Sequence, residues 1–112
     1  MSERKVIVPR KSTKKQNETD VIEVVKFELP PKYKVILLND NVTTFDFVIE
    51  ILMSVFHKSS QEAEQITMNV HNNGSGIAGI YSYDIAQTKI NQVKKQATEQ
   101  NFPLQLKMEK DQ

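Results

Sequence analysis

Between Tyr33 and Met108 the hydrophobic residues switch back and forth between two periods, and this limits the fold more than any other feature of the chain. The stretch YKVILLN, Tyr33 to Asn39, is β-branched and leucine-rich and reads as a strand buried on at least one face. After a turn over Asn39 to Val42, the residues Phe45, Val48, Leu52 and Phe56 recur at helical spacing, with Ile49 and Val55 widening the stripe. Thr43 or Thr44 caps this helix, and Asp46 sits in its first turn, where an acid suits the positive end of the helix dipole. SSQE supplies a capping box, Ser59 with Glu62, for a second helix along Ala63, Ile66, Thr67 and Val70. Gly74 in HNNG suits a left-handed helix stop, which leaves His71 in the last turn. GIAGIYSY is a second strand signal, and Ser82 caps a third helix, Asp84 to about Gln100, with Ala86, Ile90, Val93 and Ala97 facing inward. NFP breaks that helix, and LQLKMEK then alternates Leu104, Leu106 and Met108 against polar residues as a half-buried strand does. The order strand, helix, helix, strand, helix, strand belongs to the α+β class.

The flanking sequence differs. The whole chain, 112 residues with 38% of them hydrophobic, fits one small domain with an appendage. The appendage is residues 1–29, charged and short of aromatics, and is expected to be a flexible, disordered N-terminal extension because it buries too little surface to offset its ordering entropy. Within it, VIV at Val6 to Val8 and VIEVV at Val21 to Val25 are able to pair transiently as strands or to dock on a partner, and LPP stiffens the approach to the domain at residues 30–112.

Composition removes several functions. No apolar run approaches the roughly 18 residues of a membrane span, and the N-terminus lacks a signal-peptide pattern, so a cytoplasmic protein with no membrane partner is expected. Without cysteine there is no disulfide, no thiolate nucleophile and no cysteine metal site. Two histidines, His57 and His71, are too few for most all-protein zinc sites, so no metal and no cofactor are expected. Lys and Arg number seven against five acids through Glu28 and eight against nine after it, which is no nucleic-acid footprint. RKSTKK, Arg10 to Lys15, reads as solvated charge.

Three polar residues, Asn39, Asp40 and Asn41, crowd the join between the first strand and the first helix, where one cap would be enough. Such a corner holds either an ordinary turn and cap or a small polar ligand beside helix amides. The sequence has no Gly-x-Ser-x-Gly, no phosphate-cradling glycine loop and no paired carboxylates at glycosidase-like spacing, so no catalytic residue is expected from motifs. A lone histidine at the end of an amphipathic helix such as His71 is more often a surface or satisfied residue, and spacing alone does not join it to the cluster.

Taken together, YKVILLNDNVTTFDFVIEIL, QEAEQITMNVHNNGSGIAGIYSYDIAQTKI and FPLQLKMEK resemble the ClpS family of N-end-rule adaptors from about Pro31 to Lys110. The resemblance implies a three-stranded antiparallel sheet with three helices, in the element order above. It implies a monomeric adaptor rather than an enzyme, one that binds a protein's N-terminal Leu, Phe, Tyr or Trp. The substrate is passed to the N-terminal domain of a ClpA- or ClpC-type AAA+ unfoldase that feeds the ClpP protease. Carried over by position, the α-amino site falls on Asn39, Asp40 and His71, with Asn41 beside them, and the side-chain pocket on Thr43, Phe45, Val48, Thr67, Val70 and Leu104. The unfoldase contact falls on Asp84 and Lys89. An ammonium has three donors and needs several acceptors aimed at one point, which gives a reason for the crowding at the strand end.

Three positions depart from the family pattern. Asn41 stands where a second acid is common, Phe45 where a gating Met is usual, and Thr67 where a larger apolar side chain is usual. These changes weaken the negative field, stiffen the mouth, and reopen space while adding a hydroxyl. Two rival readings are a ribosome- or nucleic-acid-associated α/β module, for which the strands lack a basic and aromatic array, and an acid-base enzyme built on Asp40 and His71.

Overall fold

The computed structural model describes residues 4–10 and 23–111. Within the extension, β1 (Arg4–Arg10) and β2 (Glu23–Leu29) pair antiparallel, Arg4 opposite Leu29 and Arg10 opposite Glu23. β1 contains the first valine-rich patch, Val6 to Val8, and β2 contains the part of the second from Glu23 to Val25; residues 11–22, with Val21 and its neighbour at 22, lie outside the described residues. A two-stranded ribbon alone is marginal in water, and among the described residues no element of the core packs extensively against this one.

The core follows the expected order: β3 (Lys32–Leu38), α1 (Phe45–Ser54), α2 (Ser60–Asn73), β4 (Ser75–Ser82), α3 (Tyr83–Glu99) and β5 (Gln105–Lys110). β3 is the central strand of an antiparallel sheet, with β4 on one side and β5 on the other. A bulge interrupts the β3–β4 ladder: Val35 pairs with Gly79 and Ile36 with Ile77, so Ala78 has no partner. The extra residue lets Ala78 and Gly79 both be buried while Ile77 and Ile80 face out, a pattern that strict alternation forbids.

All three helices bury their apolar stripes against one face of the sheet, where Val35, Leu37 and Leu106 meet Ile51, Leu52, Ala63, Ile90 and Val93. Each large side chain so buried contributes about 1.5–3 kcal/mol. The expected stripe of α3, Ala86, Ile90, Val93 and Ala97, is the buried one. The capping box at Ser59 and Glu62 is formed in both directions, with bonds of 2.9 and 3.1 Å. Gly74 ends α2 at φ 90°, a conformation open to glycine at no steric cost.

Three local expectations are corrected. The inner face of α1 is Phe47, Val48, Ile51 and Leu52, whereas Phe45 is 43% exposed. Phe45 is the first helical residue, and its ring lies at the surface beside His71 instead of in the core. Phe47 takes its place and meets Phe102 edge to face at 5.1 Å. Phe56 is buried, but beyond the helix, which closes at Val55. Ser82 occupies the N-cap of α3 without a side-chain cap bond, and the helix begins at Tyr83.

Candidate functional site

Where β3 ends, the Asn39 amide donates to the carbonyl of Gly74 (2.9 Å), tying the strand exit to the C-terminus of α2. The same helix end is pressed onto β4. A Cβ at Gly76 would stand 2.8 Å from Cγ2 of Val70 and 3.4 Å from the Ile66 carbonyl, so only glycine lets the strand approach so closely. Strand end and helix end therefore meet, and His71 in the last turn is brought to Asn39 and Asp40.

Asp40 organises the loop that follows. Its Oδ1 accepts from the amides of Val42 (2.8 Å) and Thr43 (2.7 Å), and its Oδ2 accepts from the Thr43 hydroxyl (2.8 Å). Partial burial is the largest single influence on this carboxyl and pushes its pKa up, but the bonds from Thr43 and Val42 together outweigh it and hold the pKa below the ordinary value. A negative charge therefore stands at the strand end throughout the neutral range. Thr44, one residue on, accepts the Phe47 amide (3.1 Å) and is the cap of α1. The turn reading and the ligand reading of the polar cluster thus describe one loop: Asp40 spends lone pairs on the turn and still presents its charge.

These elements enclose one pocket. Asn39, Phe45 and His71 stand exposed around its mouth, with Asp40 and Thr43 half-buried between them. Its floor is buried and consists of Val48, Thr67, Val70 and Leu104. The ring of Phe45 meets the His71 imidazole edge to face at 5.1 Å and 72°. The free space is about 20 Å³, on the order of one water molecule. All the residues assigned above to the amine site and the pocket line it except Asn41, which is exposed on the loop. Leu38 lines it too and was missed, because strict strand alternation sends it to the outer face of the sheet with Ile36.

The two positions assigned to the unfoldase contact differ in their surroundings. Asp84 is exposed in the first turn of α3. Lys89 is half-buried: its ammonium donates to the Val55 carbonyl at 2.7 Å and lies 6.0 and 5.2 Å from the ring centroids of Phe56 and Tyr81. Five residues apart, the two are about 140° apart around the helix and share no face. Among the described residues no hydrogen bond joins Asp40 to His71, no His, Asp and Glu group clusters as a metal site would, and no helix is long and apolar enough to cross a membrane.

Comparison with known proteins bears on the whole of this core. The family model described as ATP-dependent Clp protease adaptor protein ClpS matches residues 28–107. The ATP-dependent Clp protease adapter protein ClpS of Campylobacter jejuni is 51% identical over 94 residues, covering 84% of this chain and 98% of that protein. That of Acetivibrio thermocellus is 54% identical over 85 residues, covering 76% and 86%. Among solved structures, Agrobacterium tumefaciens ClpS2 bound to L-phenylalaninamide superposes with a TM-score of 0.69 at 35% identity, covering 71% of this chain and 96% of that one. With its core matched in sequence and in fold, the chain belongs to the ClpS family of ATP-dependent Clp protease adaptors.

Proposed function

We propose that this protein binds the N-terminal Leu, Phe, Tyr or Trp of other proteins in the pocket at the end of β3 and delivers them to a Clp protease. The observation that carries the reading is the coincidence, in one pocket, of exposed polar acceptors at the mouth and an enclosed floor. A solved relative holds L-phenylalaninamide, which has the chemistry of a protein's first residue: a free ammonium, a benzyl side chain and an amide. In this chain the ammonium finds the Asn39 side-chain carbonyl, the Asp40 carboxylate and an unprotonated nitrogen of His71, which match its three donors. The charge on Asp40 opposes that of the ammonium, and contact between them away from bulk water is worth more than in solvent.

The side chain descends toward Val48, Val70 and Leu104. Since the free space is about 20 Å³, admission requires the rim to move, and Phe45, exposed and held by one edge-to-face contact with His71, is the member free to swing. Binding thus exchanges an aromatic contact within the protein for one with the ligand, worth about 0.5–1.5 kcal/mol.

The partner is a ClpA- or ClpC-type unfoldase, met through Asp84 at the exposed start of α3, with Lys89 contributing only what its bond to the Val55 carbonyl leaves exposed, and the extension through residue 29 is engaged during hand-over. The reading makes the protein a cytoplasmic monomer, with adaptor action in place of catalysis. Peptides beginning with free Leu or Phe bind, and the same peptides acetylated at the N-terminus lose nearly all affinity, because acetylation removes the charge and two donors. Fluorescence anisotropy with labelled peptides measures this, and equal binding of the two forms would reject the amine site.

A further inference from the structure

Thr67 is the one buried polar side chain among the described residues, 3% exposed, and it lies in the floor of the pocket. Its hydroxyl proton is committed: Oγ1 donates to the Ala63 carbonyl one turn back at 2.8 Å. A hydroxyl has one proton and two lone pairs, so Thr67 has nothing left to donate but can still accept. The side chains of the other floor residues, Val48, Val70 and Leu104, are hydrocarbon and carry no polar atom.

From this we infer that Thr67 is a specificity-determining residue, an acceptor at the bottom of the pocket that favours an N-terminal Tyr over an N-terminal Phe. The inference rests on the proposed binding of N-terminal residues and adds the ranking within the aromatic pair. With the amine held at the mouth by Asn39, Asp40 and His71, the para position of the ring is the ligand atom farthest from the amine and travels deepest. A tyrosine hydroxyl delivered to an all-hydrocarbon floor would be stripped of water without a partner, and the pocket would reject it. With Thr67 present, that hydroxyl becomes the donor to Oγ1, and its desolvation is offset. Phenylalanine makes no use of the lone pair. A back-bonded threonine serving only to satisfy itself against its own helix would treat the two ligands alike, which separates the two roles.

The test is a pair of peptides identical except for Tyr or Phe at residue one, titrated against the full-length protein and against T67V and T67S. Valine reproduces the shape of threonine without the hydroxyl, and serine keeps the hydroxyl without the methyl. The inference expects T67V to lose about five-fold in affinity for the Tyr peptide, the scale of one neutral hydrogen bond, with its Phe affinity within two-fold of the parent. T67S should keep the parent ratio of Tyr to Phe even if both affinities fall. An unchanged ratio in T67V overturns the inference, as does an equal loss of both peptides in T67V with the ratio kept. If T67V does not fold, T67S decides, a lost Tyr preference counting against the inference. Failure of both peptides to bind the parent protein would overturn the proposed function itself and this inference with it.

Discussion

The two ends of α1 are both closed by hydrogen bonds, yet they are closed by opposite means. At the N-terminus, Thr44 accepts the Phe47 amide, and Asp40 and Thr43 knit the preceding loop, every partner lying within three residues. At the C-terminus the Val55 carbonyl receives the ammonium of Lys89, 34 residues away on α3, held between Phe56 and Tyr81. Both solve the problem of unpaired backbone groups at a helix end. The first leaves its polar atoms at the surface beside the pocket, where they can also meet a ligand. The second draws a cation inward, where it joins α1 to α3 and is half withdrawn from any partner. One end is therefore expected to be sensitive in binding, the other in stability.

Substitution at the pocket end has the largest expected effect. Asp40→Ala is expected to weaken binding of a Leu- or Phe-starting peptide by about 2 kcal/mol or more, roughly thirty-fold. Asp40→Asn keeps an acceptor for the Val42 and Thr43 amides and removes the charge, with an amide nitrogen in place of the oxygen that accepts from the Thr43 hydroxyl. If calorimetric titration finds Asp40→Asn as good as the parent, the turn matters and the charge does not. At the far end, Lys89→Met keeps the aliphatic stem and loses the ammonium. It is expected to lower unfolding free energy by about 1–2 kcal/mol in a denaturant titration, with peptide affinity unchanged. Lost peptide binding in Lys89→Met would erase the division of labour between the two ends. The same contact makes Lys89→Glu a poor test of unfoldase docking, since it also breaks a helix cap. Asp84→Lys is the cleaner test, expected to abolish association with the unfoldase's N-terminal domain while lowering stability by no more than about 1 kcal/mol, the scale of a reversed charge in the first turn of a helix.

Smaller effects compare caps that bond with one that does not. Thr44→Ala should cost about 1 kcal/mol, whereas Ser82→Ala, which removes no cap bond, should stay within about 0.5 kcal/mol; equal costs would reject the distinction. The smallest effect is in acid. The folded pKa of Asp40 lies below its unfolded value, so its stabilisation is full above the unfolded pKa of about 3.9 and is lost as pH falls through the folded one. The contribution of Asp40 should therefore hold down to about pH 4 and be lost below it, and Asp40→Asn should have a shallower acid limb. A limb of unchanged slope would show that other carboxylates carry it.

What could be read in the sequence follows the same division between near and far. The stripe of α3, the capping box at Ser59 and Glu62, and the stop at Gly74 depend on residues within one or two turns, and each is where periodicity and cap chemistry put it. Phe45 kept helical spacing with Val48 and Leu52, but spacing cannot say which residues of a helix reach the core. The Lys89 cap, the bulge at Ala78 and the place of Leu38 in the pocket rest on partners distant in sequence or on a shift of register, and leave no local mark. At the pocket, residue types alone left Asn39, Asp40 and His71 unconnected; the family resemblance supplied their grouping.

The bond from the Asn39 amide to the Gly74 carbonyl joins main chain to main chain. No exchange of side chains at either position, proline at Asn39 apart, removes its donor or acceptor. The spacing between Asn39 and Asp40 after the strand and His71 on the helix is thus set by a main-chain frame that point mutation reaches chiefly at its glycines, Gly74 and Gly76, while the lining hung on it, Phe45 and Thr67 included, is free to change. Such an arrangement lets natural selection retune which first residue is accepted without reinventing how a first residue is distinguished from the middle of a chain.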